Sequence, residues 1–221
     1  MFAGPNGSGK SALKSCLPPE LLGVYLNPDE IEKEIREQAF LDFSKYDVRT
    51  TGDEVQKFFA ESVFLKQQGY GKIVATLGFA VGQLSFADSK VVDSYLTLLT
   101  VEFLRHKLLA QQSSFTFETV RSHGGKVDLL AQAQALGYRT YLYFVATDDP
   151  AINISRVRTR ANLGGHDVPT DRTQKRYHRS LDLLMDAIRH ASRAYSSTIP
   201  ATARMANKRG WPRSPTAKKW N

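Results

Sequence analysis

The sequence predicts an α/β fold, a parallel sheet flanked by helices, and three observations carry that expectation. Short apolar runs rich in β-branched and aromatic residues alternate with helical patterns along the 221 residues. A glycine-rich run, Gly4 to Gly9, stands between an apolar stub and a helix, and Asp149-Pro150 opens a helix directly after the apolar run Arg139 to Ala146. Strands separated by helices pair in parallel through right-handed crossovers.

Taken in order, Met1 to Ala3 end a buried strand, and a helix follows from about Lys10 to Cys16. Val24 to Leu26 is a second strand that stops at Asn27-Pro28-Asp29, and Glu30 to Gln38 is helical. Thr51 with Glu54 three positions later matches a capping box, predicting a helix to about Gln68 that Gly69 closes. Ile73 to Phe86 fits neither period clearly. Val92, Tyr95, Leu99 and Phe103 recur at helical spacing and predict a long helix to about Gln111. Ser114 to Phe117 is a strand, Lys126 to Leu136 a helix ended by Gly137, and Arg139 to Ala146 a buried parallel strand. Pro150 sits in a first helical turn, where its missing N–H costs nothing, and that helix runs to about Gly164-Gly165. After a loop from His166 to Pro169, a last helix is expected over Asp171 to Ala194. The sequence thus predicts one domain over residues 1 to 195, with a helical insertion at about 40 to 111.

Composition sets the outer bounds. With 42% apolar and 24% charged residues the chain can bury a sizeable core. Its single cysteine, Cys16, rules out an internal disulfide and a cysteine-based zinc cluster and suits a reducing, cytoplasmic setting. The most apolar stretch, Ile73 to Val81, is about half the length a membrane helix needs, so no membrane partner is expected. The net charge of +8 is unevenly placed: the segment from Ser196 onward carries Arg204, Lys208, Arg209, Arg213, Lys218 and Lys219 and no acid. Residues 1 to 195 are left with 24 basic against 22 acidic side chains, so the basicity belongs to the tail and nucleic acid is not the expected partner of the body.

The chemistry lies first in Gly4-Pro5-Asn6-Gly7-Ser8-Gly9-Lys10-Ser11, a full match to the phosphate-loop pattern G-x-x-x-x-G-K-[ST]. Small residues let backbone N–H groups wrap a β-phosphate, Lys10 reaches β- and γ-oxygens, and Ser11 holds Mg²⁺. The fold expectation therefore narrows to the P-loop NTPase type, with ATP and Mg²⁺ as the bound species.

Asp29 follows the second strand, and ligands of α/β sheets lie beyond the carboxyl ends of strands. It is either a base that accepts the proton of an attacking hydroxyl or the N-cap of the next helix. Glu118 and Thr119 end the third strand, where they could bind a Mg²⁺-bound water or a substrate hydroxyl; a capping role for Thr119 or Ser122 is the alternative. Arg156 and Arg160, four apart, share a helix face, while Arg158 points about 160° away from them. With the Gly164-Gly165 loop, Arg172 and Arg176 they make either a lid that brings charge to a phosphoryl group or a solvated basic face. His166 and His178 have no metal-ligand partner at usable spacing.

These motifs together resemble the zeta-toxin-like family of small phosphate-loop kinases. The resemblance is carried by Phe2 to Ser11, Asn27-Pro28-Asp29-Glu30-Ile31, Phe115-Thr116-Phe117-Glu118-Thr119-Val120, Gly137-Tyr138, Asn153 to Val157 through Arg160 to Pro169, and Arg176 to Leu181, covering nearly all of residues 2 to 195. It implies an ATP-dependent kinase acting on a hydroxyl, in toxin members the 3′-hydroxyl of the sugar in UDP-N-acetylglucosamine, with an antitoxin protein as partner. It implies Gly4, Pro5, Asn6, Gly7, Ser8, Gly9, Lys10, Ser11 and Ala12 as nucleotide-binding residues and Asp29 as general base. Glu118 and Thr119 become substrate-side contacts, and Arg156 and Arg160 the lid arginines. The segment between Asp29 and Phe115 differs most from toxin members and is expected to line the acceptor pocket.

Two departures bear on the ends. The first strand is a stub, where strands usually have about five or six residues, which predicts sheet residues upstream of Met1. After Tyr195 the family continues as roughly Phe-Phe-Asp-Asn-Ser-Gly-Asn-Gly. One base deleted from a sequence encoding that run yields Ser-Ser-Thr-Ile-Pro-Ala-Thr-Ala, as found at Ser196 to Ala203. Residues 196 to 221 are therefore expected to be an out-of-frame, disordered basic tail, which leaves the chain poorly soluble or only partly folded and whose removal does no further harm. The rival readings are a nucleic-acid-associated ATPase using that tail, with Trp211 and Trp220 stacking on bases, and a nucleotide-binding module without turnover.

Overall fold

The computed structural model describes residues 1–14, 17–88, 92–119, 125–163, 168–199 and 218–220. The chain forms two compact units, Met1–Leu22 with Phe117–Asn221, and Gly23–Thr116. As the sequence predicts, the architecture is α/β, with a parallel sheet flanked by helices.

In the first unit, with elements numbered along the chain, β1 (Phe2–Ala3) lies between the Phe117–Thr119 part of β6 (Phe115–Thr119) and β7 (Tyr141–Thr147), parallel to both. Beyond β7 runs β8 (Arg193–Ile199), parallel, and β9 (Lys218–Trp220) is antiparallel on the outer edge of β8. The helices are α1 (Ser11–Lys14), α2 (Pro19–Leu22), α8 (Gly125–Ala135), α9 (Pro150–Asn162), α10 (Thr170–Asp182) and α11 (Leu184–Arg189). Short as β1 is, Phe2 and Ala3 are completely buried, and Phe2 meets Tyr143 edge to face. Ala3 is in register with Thr119 and Phe144, so the chain leaves β1 at the carboxyl ends of its two neighbours.

Two expectations need correction here. The helix expected to run to Ala194 turns at Leu183, ends at Arg189, and gives way to a strand over Arg193–Ile199. That strand pairs residue for residue with all of β7, from Tyr141↔Arg193 to Thr147↔Ile199, and Tyr195 stacks on Tyr143. The boundary that the one-base shift draws after Tyr195 therefore falls inside this strand. Pairing with a strand about fifty residues away leaves no local trace, whereas Leu184, Met185 and Ile188 continue the helical pattern locally. Most of the remaining tail lies outside the described residues.

The second unit contains β2 (Val24–Leu26), α3 (Pro28–Gln38), β3 (Phe40–Asp42), a 3₁₀ turn (Phe43–Tyr46), α4 (Gly52–Glu61), α5 (Val63–Gln67), α6 (Gly71–Ala75), β4 (Gly78–Ala80), β5 (Gln83–Ser85) and α7 (Ser94–Ala110). Within it the Val24 N–H donates to the Ser114 carbonyl at 3.0 Å. The block expected to be a helical insertion also holds an antiparallel sheet of order β3-β5-β4. Its β4–β5 hairpin turns through Val81 and Gly82, both at positive φ. Phe43, Phe58, Phe79 and Phe103 fill the space between these elements, with ring centroids 5.1 to 5.7 Å apart.

The capping box is present: Thr51 accepts from the Glu54 N–H at 3.3 Å, and the Glu54 carboxylate accepts from the Thr51 N–H at 3.0 Å. The helix it starts does not reach Gln68. Ser62 adopts an extended backbone, and its hydroxyl accepts from the Leu65 N–H, so the side chain starts a new helix instead of continuing the old one. Glu54 also accepts from Lys107 on α7 and from the Thr50 hydroxyl, and these bonds, Lys107 first, hold its carboxyl down at about 2. A pKa depressed on folding adds stability that is complete above the ordinary glutamate range and lost as pH falls from about 4.5 toward 2. Urea melts between pH 6 and pH 3 are expected to show Glu54→Gln with a flatter acid limb than the parent, and Thr51→Ala about 1 kcal/mol less stable at neutral pH. An acid limb with the parent's slope in Glu54→Gln would show that the carboxylate holds nothing.

Among the described residues no helix is long and apolar enough to cross a membrane.

Candidate functional site

The site is built where β1 ends. Gly4 follows Ala3 with φ of 146°, and a Cβ there would collide with the Val145 carbonyl of β7. Gly7 has φ of 76°, and a Cβ on it would stand 2.6 Å from the Asn153 carbonyl oxygen on α9. Glycine at these two positions is what lets the loop lie against β7 on one side and α9 on the other. Ser8 is completely buried under this loop, and its hydroxyl has no hydrogen-bond partner among the described residues.

The nearly buried Lys10 sends its ammonium back over the loop, donating to the carbonyls of Gly4 at 3.0 Å and Pro5 at 2.9 Å. Neutral carbonyls are weaker acceptors for an ammonium than a phosphate oxygen is, so these bonds mark where an anionic group would be drawn. Helix α1 starts at Ser11, one residue later than expected, and the Ser11 hydroxyl donates to Glu118 Oε2 at 3.4 Å. The β1–β6 register explains the encounter, because Glu118 lies opposite Phe2 and its side chain leaves the sheet near the loop. A hydroxyl and a carboxylate brought together are hard oxygen ligands. They fit Mg²⁺, which takes one or two protein oxygens and completes its shell with phosphate oxygens and water. Among the described residues there is no group of three or more His, Cys, Asp or Glu side chains that would suit another metal.

Helix α9 grips the loop from the far side. Asp149 caps it, accepting from the Ala151 N–H at 2.7 Å, with Pro150 in the first turn as the sequence predicts. One turn in, the fully buried Asn153 donates from Nδ2 to the Asn6 carbonyl at 2.6 Å, and its Oδ1 accepts from the Thr147 hydroxyl. Arg156 is half-buried and donates to the Gly7 carbonyl at 3.4 Å. Arg160 lies a turn further on, exposed, in the last turn of α9. Arg158 faces the other way and donates to the Thr170 hydroxyl at 3.2 Å, joining α9 to the start of α10. The Gly164 to Asp167 loop between these helices lies outside the described residues. On α10, Arg172 is exposed and Arg176 half-buried.

Asp29 belongs to the second unit, in the first turn of α3. The cap there is Asn27, whose Oδ1 accepts from the N–H groups of Asp29 at 3.0 Å and Glu30 at 3.5 Å. This overturns the alternative in which Asp29 is the N-cap and leaves its exposed carboxylate with no capping task. Thr119 ends β6 half-buried, and the residues between it and Gly125, Ser122 among them, lie outside the described residues, so the capping alternative falls there. Ala12 is exposed on α1.

Lys10, Ser11, Glu118 and Arg156 are thus brought together around one loop, and Glu118 stands beside Ser11, the residue expected to hold metal. Sequence reasoning gave no role to Asn153, Thr147 or Tyr177, whose phenol donates to the Thr147 carbonyl at 2.7 Å. The usable signal was Asn153 itself, a polar residue four before Val157 on the buried stripe of α9. The chain matches no protein-family model and no curated protein.

Proposed function

We propose that the chain is an ATP-dependent phosphotransferase of the zeta-toxin-like class, moving the γ-phosphoryl group of ATP to an alcohol hydroxyl. The observation that carries this reading is the glycine loop at the end of β1, which holds the Lys10 ammonium against its own carbonyls and has the Ser11–Glu118 pair at its foot. In this reading Lys10 binds β- and γ-oxygens, and Ser11 with Glu118 holds Mg²⁺, which when bound offsets the negative charge of the phosphates. Asp29 accepts the proton of the acceptor hydroxyl as its oxygen bonds to the γ-phosphorus; the bond to the β–γ bridging oxygen breaks, and ADP leaves. Arg156 and Arg160 place positive charge near the transferring group. A nucleotide sugar such as UDP-N-acetylglucosamine as acceptor, and an antitoxin as partner, belong to the same proposal through the family resemblance.

The test is transfer from γ-labelled ATP to a panel of hydroxyl acceptors that includes nucleotide sugars. Asp29→Asn is expected to transfer about a hundredfold more slowly while binding ATP as the parent does, because an amide keeps the size of the carboxylate but cannot take the proton. Transfer at the parent rate in that variant removes Asp29 from the mechanism. Absence of transfer by the parent to every acceptor, with ATP bound, would point to the binding module without turnover.

A further inference from the structure

We infer that Asn153, Thr147 and Tyr177 form a buried relay that positions the phosphate loop and couples it to α10, making Tyr177 a positioning residue for a loop it does not touch. The ligand half of this inference rests on the nucleotide reading above; the structural half stands without it.

The geometry supplies each link. The Asn6 carbonyl can only accept, so Asn153 must turn its Nδ2 toward it, and that orientation directs Oδ1 to the Thr147 hydroxyl. Thr147, the last residue of β7, in turn accepts at its carbonyl from the Tyr177 phenol of α10. All three side chains are buried, at 0%, 2% and 7% exposure, so no water replaces a lost partner cheaply. Burial also raises the Tyr177 pKa, keeping the phenol a donor across the neutral range. The backbone adds a second hold, since Gly7 lies against Asn153 too closely to carry a side chain. Within the loop, the Ser8 N–H reaches the Pro5 carbonyl at 3.3 Å, and the Lys10 ammonium bonds the Gly4 and Pro5 carbonyls, while Asn6 and Gly7 bond outward to α9. The Asn6–Gly7 part of the loop is therefore held from α9, and α9 is joined to β7 and α10 through Thr147 and Tyr177.

The exposed side of α10 carries Arg172, Lys175 and Arg179, with Thr173, Tyr177 and Ser180 on its buried side.

The experiment is amide hydrogen exchange of the full chain without ligand, followed by titration with Mg²⁺ and ATP. In Tyr177→Phe, which keeps the ring and removes only the hydroxyl, the amides of Gly7 to Lys10 are expected to exchange about fivefold faster, the factor corresponding to one net hydrogen bond. Thr147→Val is expected to do the same, and Thr147→Ser, which restores the hydroxyl, to bring the rate back. The ATP dissociation constant is expected to rise by a similar factor in the first two variants. Loop exchange at the parent rate in both Tyr177→Phe and Thr147→Val overturns the relay. Equally faster exchange throughout β7 and α8 also overturns it, since that would be general loosening and not a hold on the loop. A parent protein that binds no ATP would sink the nucleotide reading alone, because loop exchange decides the relay without ligand.

Discussion

Lys10→Ala is expected to weaken ATP binding by about 10- to 100-fold, the equivalent of one lost charge-assisted hydrogen bond of about 1.5–3 kcal/mol, and to slow transfer further. The larger kinetic loss follows because charge on the phosphoryl oxygens is redistributed in the transition state, where removal of one oriented donor typically costs about 10²- to 10³-fold. The fold should survive. The Lys10 ammonium bonds to the Gly4 and Pro5 carbonyls of its own loop, and β1 pairs with its neighbours through Phe2 and Ala3. Calorimetric titration with ATP and Mg²⁺, with circular dichroism as a check on folding, measures both halves. Unchanged affinity in a folded Lys10→Ala protein would remove the loop from nucleotide binding, and the kinase reading with it.

Ending the chain at Tyr195 is expected to lower the melting temperature by about 10 °C or leave the protein insoluble. The cut removes Ser196–Ile199, which pair with Phe144, Val145, Ala146 and Thr147. Sheet hydrogen bonds contribute about 0.5–1.5 kcal/mol each, so losing several approaches the stability of a domain, about 5–15 kcal/mol. The bare half of β7 is also the half that ends in Thr147, the residue bonded to Asn153, so loop order should fall with stability. This is the reverse of what the acid-free composition of the tail suggests. Thermal melts of the full and shortened chains decide between them, and equal melting temperatures would return Ser196–Ile199 to the tail.

Much of the site was legible because its signals are local. The loop from Gly4 to Ser11 is contiguous, and glycine at positions 4 and 7 is required by backbone approach to Val145 and Asn153. The Thr51–Glu54 box and the Asp149-Pro150 start also stand as read, since a cap reaches only two or three residues along the chain. Asp29 shows the limit of such reading. A carboxylate just before a helical run looks like a cap, but Pro28 already sits at the first helical position, which moves the capping task back to Asn27.

The amino-acid sequence by itself determined the α/β class, the order of most elements and the residue types of the phosphate loop, because periodicity, caps and glycine conformations act over a few neighbours. The tertiary structure alone decided that Glu118 meets Ser11, that Arg156 reaches Gly7, that Asn153 holds Asn6, and that Arg193–Ile199 is a strand. Each of these joins residues far apart in sequence through strand register or side-chain hydrogen bonds, and such pairings depend on which surfaces are buried together once the sheet has formed.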